Sequence, residues 1–164
     1  MKNGITRSSL VAFLMLFAFS FSGCEKTPKE EEEDGLYVKF MNETTSQYTI
    51  TTIQIRPRGP VVEEQTPTNN WGQNLLTNGE TIAPGDHVFF TLDIPSSHWS
   101  EYRLGVDDGN GNEIMLHTQE NYSSYELPIT HWGGDTRTVS VTIVTDQYSG
   151  QIITSGYSDW VGID

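Results

Sequence analysis

Thr138-Val-Ser-Val-Thr-Ile-Val-Thr145 is the stretch that decides the fold, because its polar and apolar residues alternate strictly from Thr138 to Ile143. Successive side chains of a strand point to opposite faces, so Val139, Val141 and Ile143 share one face and the hydroxyl side chains at 138, 140 and 142 share the other. The pattern predicts a β-strand with one buried face.

Shorter patterns of the same kind extend from this stretch in both directions. After it, a turn at 147–150 predicts a hairpin to a last strand at Ile152 and Ile153. The Pro-Gly order in 83–86 predicts a type II turn, and Asp107-Asp-Gly-Asn-Gly111 predicts a hairpin. Further strands are predicted at 36–41, 48–56, 86–94, 99–106 and 112–118.

Two stretches carry signals that modify these strands. Within 48–56 the apolar phase slips at Thr51-Thr52, which predicts a β-bulge. Arg56-Pro-Arg-Gly-Pro60 is expected to end that strand, and Leu127-Pro128-Ile129 is expected to interrupt any central strand.

About seven to eight short strands without a helical period predict an all-β domain over residues 35–164. The expected architecture is an antiparallel β-sandwich with an immunoglobulin-like Greek key, although the tryptophan-and-disulfide signature of true immunoglobulins is absent. Sixteen of the 22 acidic residues and five bases fall in this domain, so its net charge is −11. Nucleic-acid binding is disfavoured because it requires clustered Lys and Arg.

The first 23 residues have the layout of a secretory signal peptide. Lys2 and Arg7 precede an apolar run from Leu10 to Phe21, which spans about 18 Å as a helix and is too short to cross a bilayer core of about 30 Å. Cys24, the only cysteine, follows this run after Ser22 and Gly23. From the residues alone it could also be a free thiol or half of an intermolecular disulfide.

Phe21-Ser-Gly-Cys24 resembles the lipobox of bacterial lipoproteins, with Phe21 where that family usually has Leu. The resemblance implies that Cys24 carries a diacylglyceryl group and a further acyl chain such as palmitate. Residues 24–34 are rich in acids and lack branched aliphatic residues, which is typical of a solvated tether. This tether is either an acidic export signal for the cell surface or a plain spacer. The expected location is the outer membrane.

A second resemblance covers roughly Thr51 to Leu116. Asn70-Trp-Gly-Gln-Asn-Leu-Leu76, a Pro-Gly turn and a Tyr-x-Leu…Asp-x-x-Gly hairpin are similar to a group of small exported bacterial β-sandwich proteins with no assigned activity. The resemblance implies a fold and no functional residue. Trp71 and the two leucines are expected to fold over an open end of the domain while Asn74 caps the loop, and Trp71 is also a candidate for stacking on a glycan.

Other candidate ligand-binding residues are aromatic. Two His-Trp pairs could form a platform with two tyrosines, or could pack at the rim of the domain. The residues of this platform are His98, Trp99, His131, Trp132, Tyr122 and Tyr125.

Signatures of metal sites and catalysis are weak. Asp107-Asp-Gly-Asn-Gly-Asn112 resembles a calcium loop, but Val106 and His117 stand where the carboxylates belong. The four histidines lie at least eleven residues apart, without zinc spacing. A nucleophile elbow and a phosphate-binding glycine loop are absent as well. We therefore expect no metal, no cofactor and no catalytic residue.

The sequence thus favours a membrane-anchored, non-catalytic binding module for a glycan or an envelope protein. The alternative is a structural envelope lipoprotein that associates through a sheet edge. A hydrolase that uses a pair of carboxylates is a distant third.

Overall fold

Eight β-strands form the part of the chain that the computed structural model describes, which is residues 35–62, 70–116 and 127–163. These described residues contain no helix, so the all-β prediction is confirmed. The strands are β1 Leu36–Asn42, β2 Ile50–Pro60, β3 His87–Leu92, β4 His98–Asp107, β5 Glu113–Met115, β6 Pro128–His131, β7 Thr136–Thr145 and β8 Ile152–Val161.

The first sheet, sheet I, has the strand order β3-β1-β7-β8. β1 pairs antiparallel with β3 but parallel with β7, while β7 and β8 form an antiparallel hairpin. The prediction of a wholly antiparallel arrangement is therefore wrong, and sheet I is mixed. The reason is that β1 and β7 are far apart in sequence, and only strands joined by a tight turn are forced to run antiparallel.

The second sheet, sheet II, is built on β4, which pairs antiparallel with β2 on one side and with β5 and β6 on the other. β5 and β6 continue one ladder. Leu116 N donates to Leu104 O over 2.8 Å, and Tyr102 N donates to Leu127 O over 2.9 Å, so among the described residues the two pairings are separated by one position of β4, Arg103. Pro128 is tolerated because it begins a strand that pairs on one side only, among the described strands.

One hydrophobic core is shared by the two sheets. Phe40 of β1 meets Tyr102 of β4 edge-on, with 5.5 Å between ring centroids, and the Tyr157 hydroxyl of β8 donates to Pro128 O over 2.7 Å. The alternating residues of the predicted strands face this core. Those that are almost fully buried include Leu36, Val38, Tyr102, Leu104, Val106, Val139, Val141 and Ile143.

Several local predictions are confirmed by the backbone. The β2–β4 register shifts between Ile50 and Thr52, which is the predicted bulge, and it leaves both Ile50 and Ile53 buried. Asp86 N donates to Ala83 O over 2.9 Å with Gly85 at φ 91°, as a type II turn requires.

The predicted end of the second strand at Arg56 is wrong. β2 continues to Pro60, with a further register shift between Pro57 and Gly59. The prolines fit because, among the described strands, β2 pairs with β4 alone, so a missing N–H on the other side breaks no bond between strands. This extension matters for the site, since it brings Arg58 onto the sheet.

Candidate functional site

The outer face of sheet II carries a cluster of arginine and tryptophan side chains. In β4 the residues Tyr102 and Leu104 point into the core, so Glu101 and Arg103 point outward. β2 contributes its own outward residues through a register that sets Arg56 opposite Glu101. We call this set the arginine–tryptophan face; it consists of Arg56, Arg58, Trp71, Trp99, Glu101 and Arg103.

Glu101 is the centre of this face and is only 1% exposed although it lies on the outer side of the sheet. Its Oε2 lies 2.5 Å from Arg56 Nη2, and its Oε1 forms a second ion pair with Arg58 Nη1. A carboxylate removed from water at such a place requires this compensation by hydrogen-bonded partners. Glu101 therefore fixes two guanidinium groups against the sheet.

Trp71 is partly buried and lies beside two of the guanidinium groups. The guanidinium carbon of Arg56 is 4.3 Å and that of Arg103 is 4.7 Å from its ring centroid, within the range of a cation–π interaction. The chain following Trp71 is tied to β2, because Gly72 N donates to Ile55 O over 2.8 Å. A Cβ at position 72 would lie 2.9 Å from that same oxygen, so the close approach requires glycine.

Asn74 holds the rest of this loop on β2. Its Oδ1 accepts from Ile53 N at 2.9 Å and from Leu76 N at 3.0 Å, and its Nδ2 donates to Thr51 O at 3.0 Å. The predicted capping role is thus confirmed. The loop does not close an end of the domain as expected: it covers the free edge of β2, burying Leu76, while Trp71 packs on the arginines.

Trp99 lies at the other end of the face. Arg58 places its guanidinium carbon 3.8 Å from the ring centroid of Trp99, which remains partly exposed. Thr130 of β6 is opposite Trp99, and Trp132 follows two residues later with 47% of its surface exposed. Trp132 directly follows β6, so the backbone positions of Trp99 and Trp132 are close to one another in the β4–β6 pairing.

The two histidines of the expected platform have different surroundings. His98 is partly buried, and its Nδ1 lies 3.2 Å from Ser96 O. His131 is fully buried, with one ring nitrogen against Ile94 O and the other against Gly133 O. These carbonyls hold His131 inside the domain, which removes it from the residues that could meet a ligand at the surface.

The remaining predicted site residues, Cys24, Tyr122 and Tyr125, lie outside the described residues. The signal peptide at 1–23, the tether at 24–34 and His117 lie outside them as well.

Arg103 was not singled out by sequence reasoning, and it differs from the other two arginines of the face. Its Nε donates to the neutral Gln54 Oε1 over 2.6 Å, and no carboxylate of the described residues lies within ion-pair distance of it. Burial and the neighbouring Arg56 lower the pKa of Arg103, and Glu113 opposes part of this effect. Its positive charge is thus the least compensated on the face.

A second exposed aromatic pair lies on the outer face of sheet I. The rings of Tyr37 and Phe89 are stacked with centroids 5.5 Å apart and planes 7° apart, and each residue is 41% exposed. Among the described residues the cation–π contacts of arginine involve Trp71 and Trp99, so the Tyr37–Phe89 pair offers a comparison surface with aromatic character but without such a guanidinium contact.

The acidic turn between β4 and β5 is a hairpin, as predicted. Asp108 Oδ1 accepts from Asn110 N at 2.8 Å and from Asn112 N at 3.1 Å, and its Oδ2 accepts from Asn112 Nδ2 at 3.0 Å. These hydrogen bonds, first that of the Asn112 side chain, lower the pKa of Asp108 to about 2. Within the described ranges, no three His, Cys, Asp or Glu side chains are grouped so that they could hold a metal ion.

In the described part of the chain, no helix has the length and apolar character needed to span a membrane. Neither the models of protein families nor the curated proteins match this chain.

Proposed function

We propose that this protein is a lipid-anchored, non-catalytic binding module that holds a glycan on its arginine–tryptophan face. The observation that carries the proposal is the presence of Trp71 and Trp99 on one sheet face, each partly exposed and each fixed by a guanidinium group. Trp99 and Arg103 are four residues apart on β4, about 13 Å at the rise of an extended strand. A strip of this length suits several consecutive units of a chain-like ligand better than a small molecule.

The fixed geometry of the face supports recognition by stacking. Tryptophan presents a large rigid surface, and an aromatic ring that is already held in place loses little conformational entropy when a ligand binds. The one buried carboxylate of the face, Glu101, already binds two guanidinium groups, so it is better suited to positioning side chains than to proton transfer.

The architecture that we propose for the domain is a β-sandwich with immunoglobulin-like Greek-key topology. It is supported by the shared core and by the alternation of β1 to β4 between the two sheets. We further propose that Cys24 is lipidated and that the domain is displayed from the outer membrane, on the sequence signals described above. A Cys24→Ser variant should lose incorporation of labelled palmitate and detergent partitioning; retention of both would contradict the anchor.

The proposed binding is tested with the purified full-length lipoprotein in detergent on a glycan array. Trp99→Ala should abolish binding to any glycan that the unmodified protein retains, because it removes the ring at one end of the strip. Phe89→Ala, which removes an exposed aromatic of sheet I, is the matched control and should bind normally. Equal losses in both variants, or no bound glycan at all, would contradict the proposal. Thermal unfolding of each variant shows that the domain remains folded.

A second function, assembly through a sheet edge, is favoured by β8. This strand is ten residues long and pairs only with β7 among the described strands. A long edge strand is a template for another chain. Ser158→Lys should then reduce capture of envelope proteins by the full-length chain, since lysine on an edge opposes strand addition. An unchanged set of captured proteins would exclude this mode.

A further inference from the structure

We propose that the ligand of the arginine–tryptophan face is an acidic glycan, and that its carboxylate or sulfate group pairs with the guanidinium of Arg103. The inference rests on the proposed function and specifies the chemistry of its ligand.

Positive charge is unevenly distributed over the domain. Residues 35–164 contain five bases and have a net charge of −11, yet Arg56, Arg58 and Arg103 lie together on one face. Two of them share the carboxylate of Glu101. Placing three guanidinium groups together is unfavourable by itself because like charges repel, and an anion bound among them would relieve this repulsion.

Arg103 is the guanidinium of this face that is best placed to receive an anion. It is partly exposed, its side-chain hydrogen bond among the described residues goes to the neutral Gln54, and Arg56 is near enough to lower its pKa. Guanidinium groups bind carboxylate and sulfate-like oxygens through two parallel hydrogen bonds, and Arg103 has donors left for such a pair. Since Trp71 lies 4.7 Å from Arg103, a sugar ring on this tryptophan would bring an acidic substituent within reach of it.

The arginine–tryptophan face suits a glycan better than an acidic peptide. Extended peptides commonly bind by adding a strand to a free sheet edge. Here the edge of β2 next to the arginine–tryptophan face is covered, because Gly72 N and Leu75 N donate to Ile55 O and Ile53 O over 2.8 and 2.9 Å. The accessible features are therefore rings and guanidinium groups on a sheet face. These features match a ligand with flat apolar sugar faces and charged substituents.

The test uses a panel of acidic oligosaccharides, namely polygalacturonate, alginate, hyaluronan and chondroitin sulfate, each beside a neutral counterpart that has been carboxyl-reduced and desulfated. Affinity for the full-length lipoprotein in detergent is measured by calorimetry at 0.15 M salt, where distant acidic residues are screened beyond about 8 Å. At least one acidic member should bind tenfold or more tightly than its neutral counterpart. This comparison uses the unmodified protein, so it does not depend on the folding of a variant.

Variants then locate the anion. Arg103→Gln should weaken binding of the acidic member by tenfold or more and leave binding of the neutral counterpart within twofold, while Arg103→Lys should retain part of the affinity. Tyr148→Glu makes the same change in net charge at a side chain that is 99% exposed on the β7–β8 turn, and it should bind like the unmodified protein.

Several results would overturn the inference. Equal affinity for acidic and neutral members would show that a glycan binds without charge recognition, which leaves the proposed function in place. Equal losses in Arg103→Gln and Tyr148→Glu would show a general charge effect instead of a site. Tighter binding of a hexaglutamate peptide than of every glycan would assign the face to acidic proteins. Binding of no panel member at 1 mM would contradict the inference, and a positive array with neutral glycans would then still support the proposed function.

Discussion

Replacing Glu101 with glutamine removes the carboxylate that holds Arg56 and Arg58 on sheet II. Glu101 is 1% exposed, and the side chains of Arg56 and Arg58 are 15% and 10% exposed, so the two cations would keep little water after the change. Removing one partner of a buried ion pair costs about 3–5 kcal/mol, because the other charge loses that part of its compensation. A domain of this size has a free energy of unfolding of about 5–15 kcal/mol, so the variant should lose a large part of it.

The assay is urea unfolding of the full-length protein, followed by tryptophan fluorescence. With a urea dependence of about 2 kcal/mol per molar, a loss of about 4 kcal/mol lowers the unfolding midpoint by about 2 M. Glu80→Gln, which removes a carboxylate from an exposed position, is the control and should change stability by less than about 0.5 kcal/mol.

A triple variant distinguishes the effect of the lost ion pairs on stability from the effect of side-chain size. Replacing Glu101, Arg56 and Arg58 together by methionine should restore much of the stability, because an apolar cluster of similar volume has no charge to desolvate. A loss below about 1 kcal/mol in Glu101→Gln, with an unchanged slope, would refute the argument that this carboxylate organises the face.

Three further predictions concern side chains outside that ion pair. Asn74→Ala should lower the free energy of unfolding by about 1–3 kcal/mol and speed hydrogen exchange at Ile53 N, because the amide of Asn74 binds three backbone groups of β2 and its own loop. The pKa of Asp108, about 2 in this fold, should rise toward 3.8 in Asn112→Ala; an unchanged carboxyl titration by NMR would contradict its assignment to these hydrogen bonds. Burial raises the pKa of Asp159 although Arg137 lies 3.0 Å away, so the folded state holds this proton more tightly than the unfolded state. As the pH rises from 3.8 to the pKa of Asp159 in the folded state, the unmodified protein should therefore lose stability relative to Asp159→Asn. The measurement is urea unfolding of both proteins over this pH range. A gain in stability would show that the attraction of Arg137 outweighs the effect of burial on this carboxyl.

Much of the strand content could be predicted because it depends on neighbours in sequence. Alternation located β7 and the inward residues of β4, and the phase slip located the bulge beside Ile50. Turn chemistry was equally local: a glycine at φ 91° completes the type II turn before β3. By contrast, the parallel pairing of β1 with β7 depends on how distant strands meet, and no local pattern encodes it.

The candidate site was predictable only in part, for the same reason. Trp71 and Trp99 were recognised as aromatic candidates, but the arginines that hold their rings were not. Arg56 and Glu101 are separated by 45 residues and meet through the β2–β4 register. The available signal was the pair of arginines two positions apart at 56 and 58, which would have pointed to one strand face if the strand had been extended through its prolines.

The interrupted ladder beside β4 has a consequence for how this scaffold can be altered. Leu116 and Leu127 are hydrogen-bonded to Leu104 and Tyr102, which are two residues apart on β4, so the described chain leaves and rejoins sheet II at neighbouring positions. Doubling the length of a segment attached in this way costs only about 0.6 kcal/mol of closure entropy. Foreign peptides could therefore be grafted at this position while the eight strands keep their partners, which would make the protein a carrier for epitopes beside the arginine–tryptophan face.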